Sequence, residues 1–252
     1  ARFPESTSLI DPISVIRDGQ TVTGTLLVDC ILMSVLKSCM NEVDQFSLFS
    51  MLKVLLQCLE MLNTMVRERT KTTDVGMPTT IPLTLLTTLV TTKVWDIVWQ
   101  NKGAPVELVQ TQTRNVFISS LTLVRSCYSN LPGKISEGQQ KLEQMASRLM
   151  ALSWHSRGKY APLKAIISEV PASRLLELSP TLFDGILEGI QDRSVHTPAQ
   201  HLFEAILQSI VSGKLDTQVF VARLIDALLS RDPESGSWRT LVDDSISALL
   251  TV

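Results

Sequence analysis

The sequence predicts an all-α protein, an α-solenoid built of degenerate HEAT- or armadillo-like helical repeats. Three observations predict it. Apolar residues recur at steps of three and four along most of the chain, the period of a helix with one buried stripe. Leu, Ile, Val, Met and Ala supply most of a 44% hydrophobic content in which aromatics are only 5%, a composition suited to helix-on-helix packing rather than a sheet sandwich. No segment alternates polar and apolar residues strongly enough to read as a strand. Helices of about 10 to 25 residues joined by short turns then argue for antiparallel pairs in a superhelical array, with a degenerate period near 40 to 47 residues. A closed helical bundle is the alternative; the array is preferred because many sequential amphipathic helices do not readily share one core.

The elements follow in order. Val22 to Met40 is an apolar, helix-competent block, and Asn41 breaks it. Val43 to Arg69 is a longer helix in which Phe46, Phe49, Leu52, Leu56, Leu59 and Leu62 recur at helical steps. RERTKTTDVGMPTTIP then reads as a polar, threonine-rich loop near residues 70–84. Helical signal returns over Leu85 to Gln100, with Trp95 and Trp99 one turn apart. Lys102-Gly103-Ala104 turns the chain, and Pro105 suits the first position of the next helix. There Val106, Val109, Thr113, Val116, Ser120 and Val124 line one stripe, with Gln110, Arg114 and Asn115 off it.

SNLPGK is another turn, after which Leu142, Met145, Leu149 and Leu152 form a clean stripe. Ala161 to Val170 is a short helix that tolerates Pro162 in its first turn. Leu182 to Ile190, Pro198 to Val211, Gln218 to Leu229 and Trp238 to Leu250 complete the series, with Thr197-Pro198 and Asp232-Pro233 marking helix starts or approaches. Residues 1–252 read as one segment of such an array, and ARFPESTS, which has no initiator Met, as the start of a fragment.

The net charge of -2 predicts no global attraction to nucleic acid or acidic membranes, so any nucleic-acid surface is a local patch. Cys30, Cys39, Cys58 and Cys127 form no CxxC pair, and three of them lie in apolar, helix-like stretches. Reduced, buried thiols in a cytoplasmic protein are the expectation. Val75 to Thr92 carries no charge, but its threonines, Pro78 and Pro82 leave it short of the run of about 20 mostly apolar residues a membrane span needs. No membrane insertion is expected.

His155, His196 and His201 are the three histidines; Pro198 separates the last two, and no HExxH occurs. Walker, dinucleotide and GxSxG patterns are missing as well. Asp243 and Asp244 are adjacent and so point apart on a helix. Trp95, Trp99, Trp154 and Trp238 read as packing residues first and base-stacking platforms second. The expectation is a protein with no catalytic residues, metal site, cofactor or small-molecule ligand.

The stretch SWHSRGKYAP concentrates polar chemistry. A helix ends after Leu152, Gly158 permits a left-handed turn, and the next helix starts near Lys159. Arg157 and Lys159 would flank the glycine at a helix N-terminus, where backbone amides and two cations can receive a phosphate. Spacing alone favours the simpler account, a capped corner with a solvated basic rim.

Two segments resemble the thyroid adenoma-associated protein family. In WDIVWQNKGAPVELVQTQTRNVFISSLTLVR (Trp95 to Arg125), Val109, Gln112, Thr113, Arg114, Phe117 and Leu121 occupy the pattern of a family helix pair. In Leu149 to Leu207, Trp154-His155, Gly158-Lys159-Tyr160, Asp192 and the Leu-Phe spacing after Pro198 fall in the family's order. Together they cover roughly the middle half of the chain; the N-terminal 90 residues and the C-terminal tail match in helical character, and the family's arginine-rich central motif is not recognisable. The resemblance implies an α-solenoid scaffold, the non-catalytic partner of a tRNA 2′-O-ribose methyltransferase acting on the anticodon loop. Its expected partners are the methyltransferase subunit and tRNA, with Lys102, Arg114, Arg157, Lys159 and Lys164 forming a basic rim. The alternative it leaves open is a protein–protein interaction solenoid that regulates a membrane calcium pump or another partner, without nucleic-acid contact in this segment.

Overall fold

A computed structural model describes residues 12–17, 19–69, 83–131, 133–167, 169–170, 172–211 and 217–229. The described chain is mostly helical. It divides into two compact units, Ala1–Gly138 and Gln139–Val252.

Among the described residues the first unit begins with strands, contrary to the expectation of none. β1 (Pro12–Arg17) and β2 (Gln20–Thr25) form an antiparallel hairpin in register from Pro12↔Thr25 to Arg17↔Gln20. Gly19 turns it with φ of 78°, a conformation open to glycine because it has no Cβ to clash. The block expected as one helix from Val22 therefore begins as strand. Thr25 ends it: its Oγ1 accepts from the Val28 N–H at 3.3 Å while its own N–H donates to Asp29 Oδ2 at 2.6 Å. This reciprocal cap starts a π-helical turn, Leu26–Leu32, that runs into α1 (Met33–Asn41).

Asp44 caps α2 (Gln45–Arg69) by accepting from the Ser47 N–H at 2.8 Å. The inward face of α2 is Leu48, Leu52, Leu55, Leu59, Leu62 and Val66. Phe46, expected on that stripe, is 75% exposed. A second helical run comprises α3 (Leu83–Leu89), a π-helical turn over Val90–Val94 and α4 (Trp95–Asn101). The long α5 (Glu107–Ser129) packs along α2 and touches α3 and α4. Its helix starts after Pro105 and Val106 rather than at the proline. Val109, Thr113, Val116, Ser120 and Val124 are buried as the periodicity predicts.

Two polar links cross this core. Asn63 Nδ2 on α2 donates to Ser119 O on α5 at 3.1 Å, and Trp95 Nε1 donates to Ser120 Oγ at 3.1 Å. The Trp95 ring also meets Phe117 edge-on, with centroids 6.3 Å apart. Ser120→Ala leaves the buried indole N–H without its partner and is expected to cost about 1–2 kcal/mol. A lowered urea midpoint with an unchanged m-value checks it.

α6 (Ile135–Met150) crosses the division between the units after Gly138. In the second unit follow α7 (Arg157–Ile167), α8 (Ala172–Leu178), α9 (Leu182–Gln191), α10 (His196–Val211) and α11 (Thr217–Leu229). Leu142, Met145 and Leu149 are buried as predicted, with Leu163, Ile166, Ile186, Ile190, Leu202 and Phe203. α10 packs against both α7 and α9. Arg174 on α8 reaches Glu143 on α6 at 2.8 Å. The helix expected over Trp238 to Leu250, and most of the threonine-rich loop near 70–84, lie outside the described residues.

Candidate functional site: a polar corner between helices

The stretch between α6 and α7 is a corner, and its geometry differs from the sequence expectation in one decisive way. α7 begins at Arg157, earlier than expected, so Gly158 lies inside the helix. The positive-φ glycines among the described residues are Gly19 and Gly133. With Gly158 helical, Lys159 turns inward: it is fully buried. Its Nζ donates to Met150 O at 2.9 Å and to Leu152 O at 2.6 Å, and lies 3.2 Å from the Trp154 ring centroid. The ammonium thus serves the carbonyls that the end of α6 leaves unpaired, with a cation–π contact on its other side.

Tyr160 completes the corner by donating its hydroxyl to Trp154 O. The two rings sit 6.3 Å apart, tilted by 57°. Both press on α9 where it carries no side chain. A Cβ on Gly185 would fall 2.0 Å from Trp154 ring atoms, and one on Gly189 would fall 2.0 Å from the Tyr160 hydroxyl. The two glycines stand one turn apart in GILEGIQ, so α9 presents a bare strip to the corner. That spacing was the available sequence signal for these two residues, which motif reasoning passed over.

His155 occupies the exposed side. Its Nδ1 lies 2.7 Å from Asp192 Oδ2 and its Nε2 lies 2.9 Å from Glu188 Oε1. Asp192 Oδ1 accepts from both the N–H and the hydroxyl of Ser194, each at 2.8 Å. The Ser194 N–H, and next the imidazole, hold the Asp192 carboxyl below its ordinary 3.8. Burial pulls the Lys159 ammonium down to about 8, with the charge of Glu188 opposing. Burial pushes the Tyr160 phenol up to about 12.

The five expected basic residues divide between the units. Arg157 and Lys164 are exposed two turns apart on α7, a spacing that sets them on one helix face. Lys159, on the same helix, faces the core and does not join a solvent rim. In the first unit Arg114 is exposed on α5. Lys102, after α4, donates to Trp99 O at 2.8 Å and sits 4.1 Å over the Trp99 ring.

Chemically, this corner binds helices together; its amine of lowered pKa is shut away from solvent. Among the described residues no group of three His, Cys, Asp and Glu side chains is arranged to hold a metal ion. In comparisons with known proteins, no family model, curated sequence or solved structure matches the chain.

Proposed function

We propose that the chain is a non-catalytic segment of a helical-repeat scaffold, an α-solenoid resembling the partner subunit of a tRNA 2′-O-ribose methyltransferase. The observation that carries this reading is the division of labour at the α6–α7 corner. Trp154, His155, Lys159, Tyr160 and Asp192, residues on which the resemblance rests, are spent on joining α6, α7 and α9. Arg157 and Lys164 remain on an outward face of α7. A rigid helix with two outward cations is a phosphate-tracking surface, which positions an RNA backbone without reading its sequence. In this reading the protein is cytoplasmic and works through the methyltransferase and tRNA, with no cofactor of its own.

The test measures tRNA affinity of the chain, with and without the methyltransferase subunit, at two salt concentrations. Salt-sensitive binding is expected, and Arg157→Ala with Lys164→Ala should flatten the salt slope by about 1 per cation removed. Unchanged affinity and slope in that variant would remove these cations from the RNA path.

A second reading, a protein-interaction scaffold such as a regulator of a membrane calcium pump, has its own support in the first unit. Val43 and Phe46 are 87% and 75% exposed, and Phe46, Met51 and Val54 line an open groove of about 440 Å³ with Ser47 and Ser50. Exposed apolar side chains beside such a groove can seat a protein partner. Retention of a defined partner after nuclease treatment, lost on Phe46→Asp, favours it over the RNA reading.

A further inference from the structure

A histidine whose two ring nitrogens both lie against carboxylates can satisfy both in one protonation state. Neutral imidazole carries one N–H, so one carboxylate would then face a ring lone pair; the imidazolium donates to both. His155 is held in this way, 2.7 Å from Asp192 and 2.9 Å from Glu188. The two carboxylates belong to the end of α9: Glu188 lies in its last turn and Asp192 caps it, the Asp192 N–H donating to Glu188 O and Gly189 O at 3.2 Å. Asp192 also organises the turn into α10, through Ser194 and through its own carbonyl, which accepts from the Val195 N–H at 3.1 Å. His155 itself belongs to the α6–α7 connection. The bridge therefore spans two separate connections of the second unit.

We propose that His155 is a pH-operated clamp: as imidazolium it pins the end of α9 and the turn into α10 to the α6–α7 corner, and on losing its proton it lets go of one carboxylate. The surrounding charges leave the imidazole as the hinge of this network. From α9 it faces Glu188 and Asp192, with Asp184 a turn behind Glu188. From its own connection and α7 come exposed Arg157 and the buried Lys159 and Tyr160. Lys159 and Tyr160 sense Glu188, and Tyr160 also senses Asp192. Arg193 stands exposed beside Asp192, and His196 at the start of α10 is turned to Ile190 O.

The direction of the switch follows from the two carboxylates. The hydrogen bond with Asp192, foremost, and the charge of Glu188 hold the His155 pKa above its ordinary 6.5, against partial dehydration. A raised folded-state pKa makes the clamp fully present below 6.5 and lost as pH climbs through the raised value. Because His155 and Glu188 are exposed and Asp192 is only part-buried, added salt weakens the clamp.

The experiment follows the His155 imidazole resonances of the full chain from about pH 5 to pH 9, the range in which histidine charge changes. It is paired with amide hydrogen exchange at residues 188–195. His155 is expected to titrate above 6.5 and to fall back toward 6.5 in the variant carrying Glu188→Gln and Asp192→Asn. Exchange at 188–195 should accelerate as the proton leaves, beyond the base-catalysed rise shared by all amides, and His155→Gln should abolish the excess. Titration at or below 6.5 overturns the proposal. So does an exchange profile at 188–195 that is the same in the wild type and His155→Gln.

Discussion

Replacing Lys159 by alanine is expected to lower the unfolding free energy by about 3 kcal/mol, from a lost buried stem together with two stranded carbonyls. Lys159 is fully buried and its Nζ serves Met150 O and Leu152 O, so both losses fall at the end of one helix. Lys159→Met separates them. It keeps most of the apolar stem, one atom shorter, and removes the donors, and is expected to cost about 1–2 kcal/mol. A methionine variant as stable as the wild type would show that packing alone matters there and that the ammonium does not cap α6.

The same residue leaves a signature in pH. Its pKa of about 8 lies below the ordinary 10.5. Between those values the unfolded chain keeps a proton that the folded chain has shed. Stability therefore rises with pH across that window, and the methionine variant should lose the rise.

Gly185→Val is the second large effect, expected at about 3 kcal/mol, the upper end of overpacking costs. Even a first added carbon would sit 2.0 Å from the Trp154 ring. The ring cannot swing aside freely, because the Lys159 ammonium lies on its face and the Tyr160 ring beside it. The check is a double-mutant cycle with Trp154→Ala, which empties the space the valine needs. A strongly favourable coupling is expected, with the double variant more stable than the sum of the singles predicts. Additive losses would mean that valine is rejected by the helix backbone of α9 and not by the tryptophan.

Much of the helical core was legible because one-sided helices leave a single choice of inner face. In α5 one stripe recurs at helical steps with small polar residues, Thr113 and Ser120, among its valines, so Val109, Val116 and Val124 could be placed from spacing alone. In α2 Leu52, Leu59 and Leu62 were placed on the inner face correctly, while Phe46, Phe49 and Leu56 were not. Apolar residues stand on several faces of that helix, and it is the contact with α5 that selects Leu48, Leu55 and Val66 over Phe46 and Leu56. The hairpin was missed because β2 is rich in Thr and runs straight into an apolar helix-competent block. The Asp18-Gly19 pair between them was the turn signal available to be read.

The corner illustrates a different limit. A lysine beside a glycine reads as a solvated cation, since buried lysines are rare. That expectation holds for Arg157 and Lys164 and fails for Lys159. What decides is where α7 begins, and a shift of start by two residues carries a side chain from the outside of a helix to its inside. The glycines of α9 that receive the rings could be seen in the sequence, but nothing in it says which rings they receive.

The π-helical turn at Val90–Val94 has a consequence for descent. A widened turn takes up one more residue than an α-turn for nearly the same advance along the axis, a shift of about 100° in phase. The inner faces before it, Leu83 and Leu86, and after it, Trp95 and Val98, are both turned to the core; on an unbroken α-helical period from Leu83, Trp95 would stand about 120° away. A sister sequence one residue shorter between Val90 and Val94 could present the same two faces through an unbroken α-helix. This is the point along the run from Leu83 to Asn101 where a one-residue gap in an alignment would be structurally silent, and where gapless matching would mislead.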